Sequence, residues 1–509
     1  MVFFRATLSM LLLGSALATG AAAQTLPRLE PWDCPFTPPE GERATCHRLV
    51  VAENRDRPDG ATVNLPVAIL KARGEATLAD STIYLAGGPG ESPLVPDEAD
   101  ADPLVEGDWW STTEALRRRR DLVIVGQRGA ELSLPELGCE GLWSARDFRR
   151  KTSPREEARA REAAAMRDCR ADLERRGIDP SQYRTPALAD DVADLARVLG
   201  VARINLYGIS YGTRWGLEIM RRHPALVRAA VLDSVYPPHV RADEVEPLTA
   251  LTVFERLFAD CAADTWCGTE YPDLRARLER LVARLDARPR MLRLDLADGR
   301  RRARVDGAKA LYVVLSMLAA GGEDVGYAPT LIARAEAGDF GPLRSYAEKI
   351  EERQGGLIDI RRDDVDGLYN SIECRETSLP TDQAARSRAL AAAGPLGAVA
   401  RLNAGAELCP LWRVAPAPPQ ERLPAVSRVP TLLLSSPFDW LTPTGWAEEQ
   451  RGHLAVSRHV VFRAAGHSVT SKDACAMEMV AAFIENPDPA RLPACESADE
   501  PPAFSADEP

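Results

Sequence analysis

The sequence predicts an α/β fold in which a mostly parallel central sheet carries a large, mainly helical inserted cap. Three observations support this. A short apolar strand, the turn Gly208-Ile209-Ser210-Tyr211-Gly212 and a helix follow one another over 204–222. Other apolar runs of strand length lie before it and again after Pro424. Between 241 and 424 helical periodicity dominates, as at 252–262, 274–285 and 308–320.

In chain order, Ser81-Thr82-Ile83-Tyr84-Leu85 reads as a buried strand running into Ala86-Gly87-Gly88-Pro89-Gly90. Glycines there let main-chain N–H groups approach a ligand, and the proline stiffens the turn. Leu122-Val123-Ile124-Val125 is a second strand, leading into Gly126-Gln127-Arg128-Gly129. Periodicity over 187–199 gives a helix, and Ile204-Asn205-Leu206-Tyr207 gives the next strand. The corner after it meets the demand of a nucleophile elbow: a serine on a strained strand-to-helix turn, with small residues two before and two after so that backbones pass closely. A helix then runs to His223-Pro224, and Ala229-Ala230-Val231-Leu232 forms a strand ending in Asp233. Beyond the helical interval, Val429-Pro430-Thr431-Leu432-Leu433-Leu434 and Ser457-Arg458-His459-Val460-Val461-Phe462 are the last strands.

A serine hydroxyl becomes a nucleophile when a base takes its proton and a third group holds that base. Here Ser210 is the candidate nucleophile, and its partners are expected in the order serine, acid, histidine. The chain has six histidines. His47 precedes the serine, His223 closes the elbow helix, His239 lies in a Pro-rich loop, and His453 and His459 belong to a helix end and a strand. His467 stands in the loop just beyond the last strand, where the base belongs. Asp439, in the loop after the strand at 429–436, is the favoured acid, and Asp233 is the rival. The backbone N–H of Tyr211 and an N–H of the Gly-rich loop, at Gly88, are the expected oxyanion donors.

Taken together, Gly87-Gly88-Pro89-Gly90, Gly126-Gln127-Arg128-Gly129, the elbow and the Asp439–His467 pair resemble the α/β-hydrolase peptidases. Within these the chain is similar to the secreted tripeptidyl aminopeptidase-like branch, related to prolyl aminopeptidases, from about Trp32 to Cys495. It departs from the family pattern in having Ala86 where prolyl aminopeptidases carry histidine, Gly126 where the family has aspartate, and Ala130-Glu131-Leu132-Ser133 without the second glycine. The resemblance implies a pocket for a peptide's free N-terminus. A buried ammonium needs a paired carboxylate, and the segment 368–376 resembles one at the family's return from the cap. Glu376, and secondarily Glu373, are the expected anchors. Trp440, with Trp109, Trp110 and Tyr211, is an expected lining residue.

Residues 1–23 read as a cleavable signal peptide: Arg5, an apolar stretch over 8–17 and Ala21-Ala22-Ala23. The expected location is therefore secreted or periplasmic. The ten cysteines fit that compartment. Local spacing suggests Cys34–Cys46, Cys139–Cys169, Cys261–Cys267, Cys374–Cys409 and Cys475–Cys495, and no C-x-x-C pair suggests zinc. The expected domains are a first core segment (24–240), the cap (241–424), a second core segment with acid and histidine (425–487), and an acidic tail (488–509), mostly disordered after Cys495. A net charge of −12 argues against nucleic acid or an anionic membrane as partner. The basic runs at 117–120 and 300–302 are expected to be a solvated helix end and a turn. The chemistry requires no metal or organic cofactor. The expected function is a serine exopeptidase acting near a free N-terminus. The alternatives are a carboxylesterase or amidase with the same triad, and a non-catalytic binding protein.

Overall fold

Mostly apolar strands build one nine-stranded sheet. Along the chain lie β1 (Arg28–Trp32), β2 (Ala44–Ala52), β3 (Thr62–Leu70), β4 (Thr82–Leu85), β5 (Leu122–Val125), β6 (Ile204–Ile209) and β7 (Val227–Asp233). After these come β8 (Arg290–Leu296), β9 (Gly299–Val305), β10 (Thr431–Ser435) and β11 (Ser457–Val461). The computed structural model describes residues 25–74, 77–94, 109–139, 155–297, 299–354, 366–403 and 405–509. The expected signal peptide lies outside the described residues.

The sheet order is β1-β2-β3-β5-β4-β6-β7-β10-β11. The first three strands are antiparallel, and every pairing from β5 to β11 is parallel. Parallel strands are covered on both faces, and here each strand sends alternate side chains to opposite layers. Ile83, Val123, Leu206 and Leu232 join one cluster, with the helices Thr185–Leu199 and Tyr211–Arg222. Tyr84, Ile124, Tyr207 and Val231 join another, with the helix Ala474–Glu485. Five disulfides join the cysteine pairs that spacing suggested.

The stretch between β7 and β10 forms its own hydrophobic cluster from the helices Ala242–Ala263, Leu274–Ala287, Gly307–Ala320 and Gly322–Ala337. It also carries the β8–β9 hairpin, so the 300–302 arginines lie on a strand and not in a turn. Their strand position follows from Ala303 and Val305, which alternate into the cap core. The later part of the stretch returns to the sheet: Leu368, Ile372, Leu408 and Trp412 pack in the core cluster.

Cap and core meet through backbone. His467 N donates to Ala319 O at 2.7 Å and Gly322 N to Ala464 O at 2.7 Å. A Cβ on Gly321 would stand 2.1 Å from Ala465 O, and one on Gly466 2.3 Å from Ala319 O, so neither position admits a side chain.

Two further expectations change. Arg117 and Arg120 are buried, not solvated, because each finds a carboxylate: Arg117 pairs with Glu42 at 2.6 Å and Arg120 with Asp80 at 3.1 Å. Arg118 and Arg119, between them, are exposed. The chain after Cys495 is not a disordered tail. Its apolar residues find a groove on the cap: Phe504 packs against the cap cluster, Ser505 O accepts from Thr330 Oγ1 at 2.9 Å, and Ala503 O lies where a Cβ on Gly326 would be. Phe504→Ala is expected to lower stability by about 1 kcal/mol, read as a shift in denaturation midpoint. A free tail would show no shift.

Candidate active site

At the corner between β6 and the helix Tyr211–Arg222, Ser210 has φ 55° and ψ −124°. This region costs a non-glycine residue about 1–3 kcal/mol and persists only where the surroundings enforce it. Ser210 N donates to Asp233 O at 2.9 Å, and Ser210 O accepts from Thr213 N at 2.9 Å and Thr213 Oγ1 at 2.6 Å. The flanking glycines are steric necessities. A Cβ on Gly212 would fall 1.9 Å from Leu85 O, and one on Gly208 2.5 Å from Gly212 O.

Asp439 is fully buried in the loop after β10. Its Oδ1 accepts from Leu441 N at 3.0 Å and Thr442 N at 2.9 Å. Its Oδ2 accepts from Thr442 Oγ1 and lies 2.8 Å from His467 Nδ1. The histidine's Nδ1 is thus given an acceptor and its ring a fixed orientation, leaving Nε2 for other work. Asp233, the rival acid, has a different occupation. Its carboxylate accepts from Val469 N at 3.0 Å, Thr470 N at 2.8 Å and Thr470 Oγ1 at 2.6 Å, while neighbouring Ser234 Oγ accepts from Ser468 N at 2.8 Å. Asp233 therefore ties down the turn that follows His467. Burial pushes its carboxyl pKa up, against the pull of those donors.

Ser210 and His467 open into one cavity of about 380 Å³ under the cap, with Gly88, Trp440 and Glu373 also on its wall. Trp440 meets Tyr312 of the cap edge-on at 6.2 Å. Of the other expected lining residues, Trp110 packs against Phe36 and Arg117. The Tyr211 side chain is buried in the core with its hydroxyl 2.7 Å from Thr185 Oγ1. Only its backbone N–H, one residue past the serine, remains relevant. The Trp109 side chain lies outside the described residues.

The expected anchor Glu376 does not line the cavity. Its carboxylate accepts from Thr185 N at 2.9 Å and Thr185 Oγ1 at 2.7 Å, capping the helix Thr185–Leu199. The reason is local. Glu373 and Glu376 would share a face of an α-helix, but Cys374–Ser378 forms a wider i→i+5 turn, closed by Leu379 N donating to Cys374 O at 3.0 Å. Three residues then rotate through a smaller angle than in an α-helix, and the two glutamates part.

Glu373 does face the cavity, together with Asp243 and Glu246. Sequence reasoning missed the last two because Asp243 and Glu246 look like ordinary acidic residues in the first turns of the helix Ala242–Ala263. Their i, i+3 spacing was the available signal. Asn403 Nδ2 bridges Asp243 Oδ1 at 3.0 Å and Glu246 Oε2 at 3.1 Å, and the buried Asp243 Oδ2 has no partner. Burial, reinforced by Asp243, raises the pKa of Glu246 to about 7. Burial likewise raises that of Glu373 to about 7, opposed by the Arg214 guanidinium.

The departure at Gly126 also has a physical basis. A Cβ there would lie 2.5 Å from Pro66 Cγ, so a side chain at 126 has no room against β3. Arg128, fully buried, holds Asp191 through two contacts of 2.7 Å and donates to Glu53 O at 2.9 Å. Among the described residues no cluster of ligands suits a metal ion.

Known proteins share parts of this pattern. Residues 395–495, which include Asp439 and His467, match the family described as TAP-like protein. Over 478 residues the chain is 25% identical to the Serine protease Hip1 of Mycobacterium tuberculosis (strain ATCC 25618 / H37Rv), covering 87% of this chain and 85% of that protein. The Hip1 of Mycobacterium bovis aligns with the same figures. Among solved structures, the chain is similar to a proline iminopeptidase of Mycobacterium smegmatis at 14% identity and a TM-score of 0.38, covering 87% of this chain and 99% of that one.

The two buried aspartates are separable by experiment. Asp439→Asn is expected to lower kcat by roughly 10³- to 10⁴-fold with little change in melting temperature. Asp233→Asn removes an acceptor from the turn after His467 and is expected to cost about 2–3 kcal/mol of stability, read by thermal denaturation, with a smaller loss of kcat.

Proposed function

For this chain, an α/β-hydrolase serine peptidase with a TAP-like C-terminal segment, we propose an extracytoplasmic exopeptidase that takes the free N-terminus of a peptide into the capped cavity. The observation that carries this reading is the juxtaposition of Asp243, Glu246 and Glu373 with Ser210 and His467 on one cavity wall. Five disulfides suit an oxidising compartment.

Ser210 Oγ attacks the scissile carbonyl as His467 Nε2 takes its proton, and Asp439 steadies the imidazolium through Nδ1. The N–H groups of Gly88 and Tyr211 hold the oxyanion. Collapse of the tetrahedral adduct expels the amine, which receives the proton from His467. Water then enters by the same route and releases the acyl product.

A peptide's α-ammonium carries three donors and one positive charge. Glu373 has the Arg214 charge beside it and Glu246 has Arg386 at 3.8 Å. Asp243 has only the amide of Asn403 and an oxygen without a partner. Asp243 is thus the least compensated of the three carboxylates, and the one whose charge a buried ammonium would most relieve.

The test compares a free-amine tripeptide anilide, its N-acetylated twin and a single-residue proline anilide, beside Ser210→Ala. Cleavage of free-amine substrates alone, lost in the variant, supports the exopeptidase. Equal cleavage of the acetylated twin would replace it by an esterase or amidase. Asp243→Asn is expected to raise KM for the free-amine peptide roughly 10- to 100-fold while sparing a simple ester. Glu376→Gln, at a residue that does not line the cavity, should affect stability and not KM.

The glutamates add a pH dependence. Both lose their protons near pH 7 in the fold, against an ordinary value of 4.5. As pH falls below about 7 the wall loses negative charge, so KM for the free-amine peptide is expected to rise while that of the ester does not. For the empty fold the sign is opposite: these carboxyls stabilise it fully below 4.5, and that contribution fades as pH rises through about 7.

A further inference from the structure

Gln127 stands just past the end of β5 with its side chain wholly buried, and none of the steps above uses it. Its amide is fully engaged with one loop. Nε2 donates to Gly87 O at 2.7 Å and lies 3.3 Å from Ala86 O, while Oε1 accepts from Gly90 N at 3.0 Å. With two carbonyls at one end and an N–H at the other, the amide has a single sensible orientation. Its own backbone is pinned in turn, since Gln127 O accepts from Ser133 Oγ at 2.7 Å and from Ala130 N at 3.2 Å.

The consequence lies in the peptide plane between Gly87 and Gly88. That bond is trans, so its C=O and N–H point in opposite directions. Drawing the Gly87 carbonyl toward Gln127 turns the Gly88 N–H the other way. Gly88 lines the cavity with Ser210 and His467. Pro89 has no N–H, and Gly90 gives its own to Gln127. Both glycines need their freedom: Gly88 has φ +95°, and a Cβ on Gly87 would lie 2.6 Å from Glu91 Oε2 and 3.4 Å from the Ser210 Cβ. The loop could otherwise flip this plane at small cost, because glycine resists neither orientation.

We propose that Gln127 is a positioning residue for the oxyanion hole, locking the Gly87–Gly88 peptide so that the Gly88 N–H faces the reacting carbonyl. An amide does this at any pH, because the loop asks for a donor and an acceptor from one planar group. In a Gln127→Glu variant the introduced carboxylate would repel the Gly87 carbonyl. Protonated, the same group would regain the donor.

The inference rests on Ser210 as nucleophile and not on the N-terminal anchor. It is tested on two substrates, the free-amine tripeptide anilide and p-nitrophenyl acetate, with wild type, Gln127→Glu, Gln127→Met and Ser210→Ala. Both Gln127 variants are expected to lose roughly 10²- to 10³-fold in kcat on both substrates, as for removal of an oxyanion donor, with KM held. Affinity for a peptide aldehyde, whose adduct carries the oxyanion, should fall in parallel, while binding of the product peptide stays within about twofold. Relative to wild type at each pH, Gln127→Glu should regain kcat as pH falls. The proposal is overturned if kcat and aldehyde affinity stay within about threefold of wild type in Gln127→Met. It is also overturned if product binding and melting temperature fall along with kcat, marking a merely structural role. Activity surviving in Ser210→Ala would remove the nucleophile and the proposal with it. Loss of free-amine preference alone would overturn only the exopeptidase reading.

Discussion

The carbonyl of Leu85 stands so close beneath the elbow helix that Gly212 cannot carry even a methyl group. This close passage of β4 under the turn lets the helix begin immediately after β6 and holds Ser210 in a positive-φ backbone conformation. Much else depends on it. The same β4 ends in the loop that presents Gly88, so Ser210 and that loop share one steric constraint. The neighbouring strand β7 ends in Asp233, whose carbonyl takes the Ser210 N–H and whose carboxylate ties down the turn after His467. One residue therefore relates Ser210 to the turn after His467.

The cap is part of this arrangement. Its helix Gly307–Ala320 ends against the histidine loop through paired backbone contacts that only glycine permits at Gly321 and Gly466. Phe438 and Trp440, which flank Asp439, pack in the cap cluster and not in the core. Both Asp439 and His467 thus sit where cap and core touch. The C-terminal residues, laid along the helix Gly322–Ala337, add a second attachment.

Electrostatics divides the cavity. Its lining includes Ser210, His467 and Gly88, which the proposed reaction uses as nucleophile, base and amide donor. The same lining gathers Asp243, Glu246 and Glu373, and burial keeps the two glutamates near their neutral form until about pH 7. Such a wall is unfavourable when empty and ionised, and a cationic guest relieves it. Arg214 relates the elbow to this lining. It rises from the first turn of the elbow helix, stacks on Tyr236 at 3.8 Å, and places its charge beside Glu373.

The elbow, the strand runs, the inserted helical interval and the order serine, acid, histidine were legible because each is written in local chemistry: period-2 and period-3.6 burial, and glycines where backbones must pass. Disulfide partners were legible from spacing because each pair lies within a short stretch of chain. Contacts made at long range were not. Asp439 was favoured over Asp233 from its place in the chain, but the work of Asp233, at the end of β7, in tying down the turn after His467 was not visible there. That Glu373 and not Glu376 faces the cavity was decided by an i→i+5 turn that helical periodicity does not announce. Asp243 and Glu246 looked like a solvated helix start until the cap folded them over Ser210. Gln127 sat in a recognisable motif, but its donor and acceptor acquired a purpose only when β5 brought them beside the Gly87–Gly88 peptide. The sequence determined which residues could do chemistry, because that is a property of side chains and short spacings. Tertiary structure decided which of them meet, because burial and hydrogen-bond partners are set by segments remote along the chain.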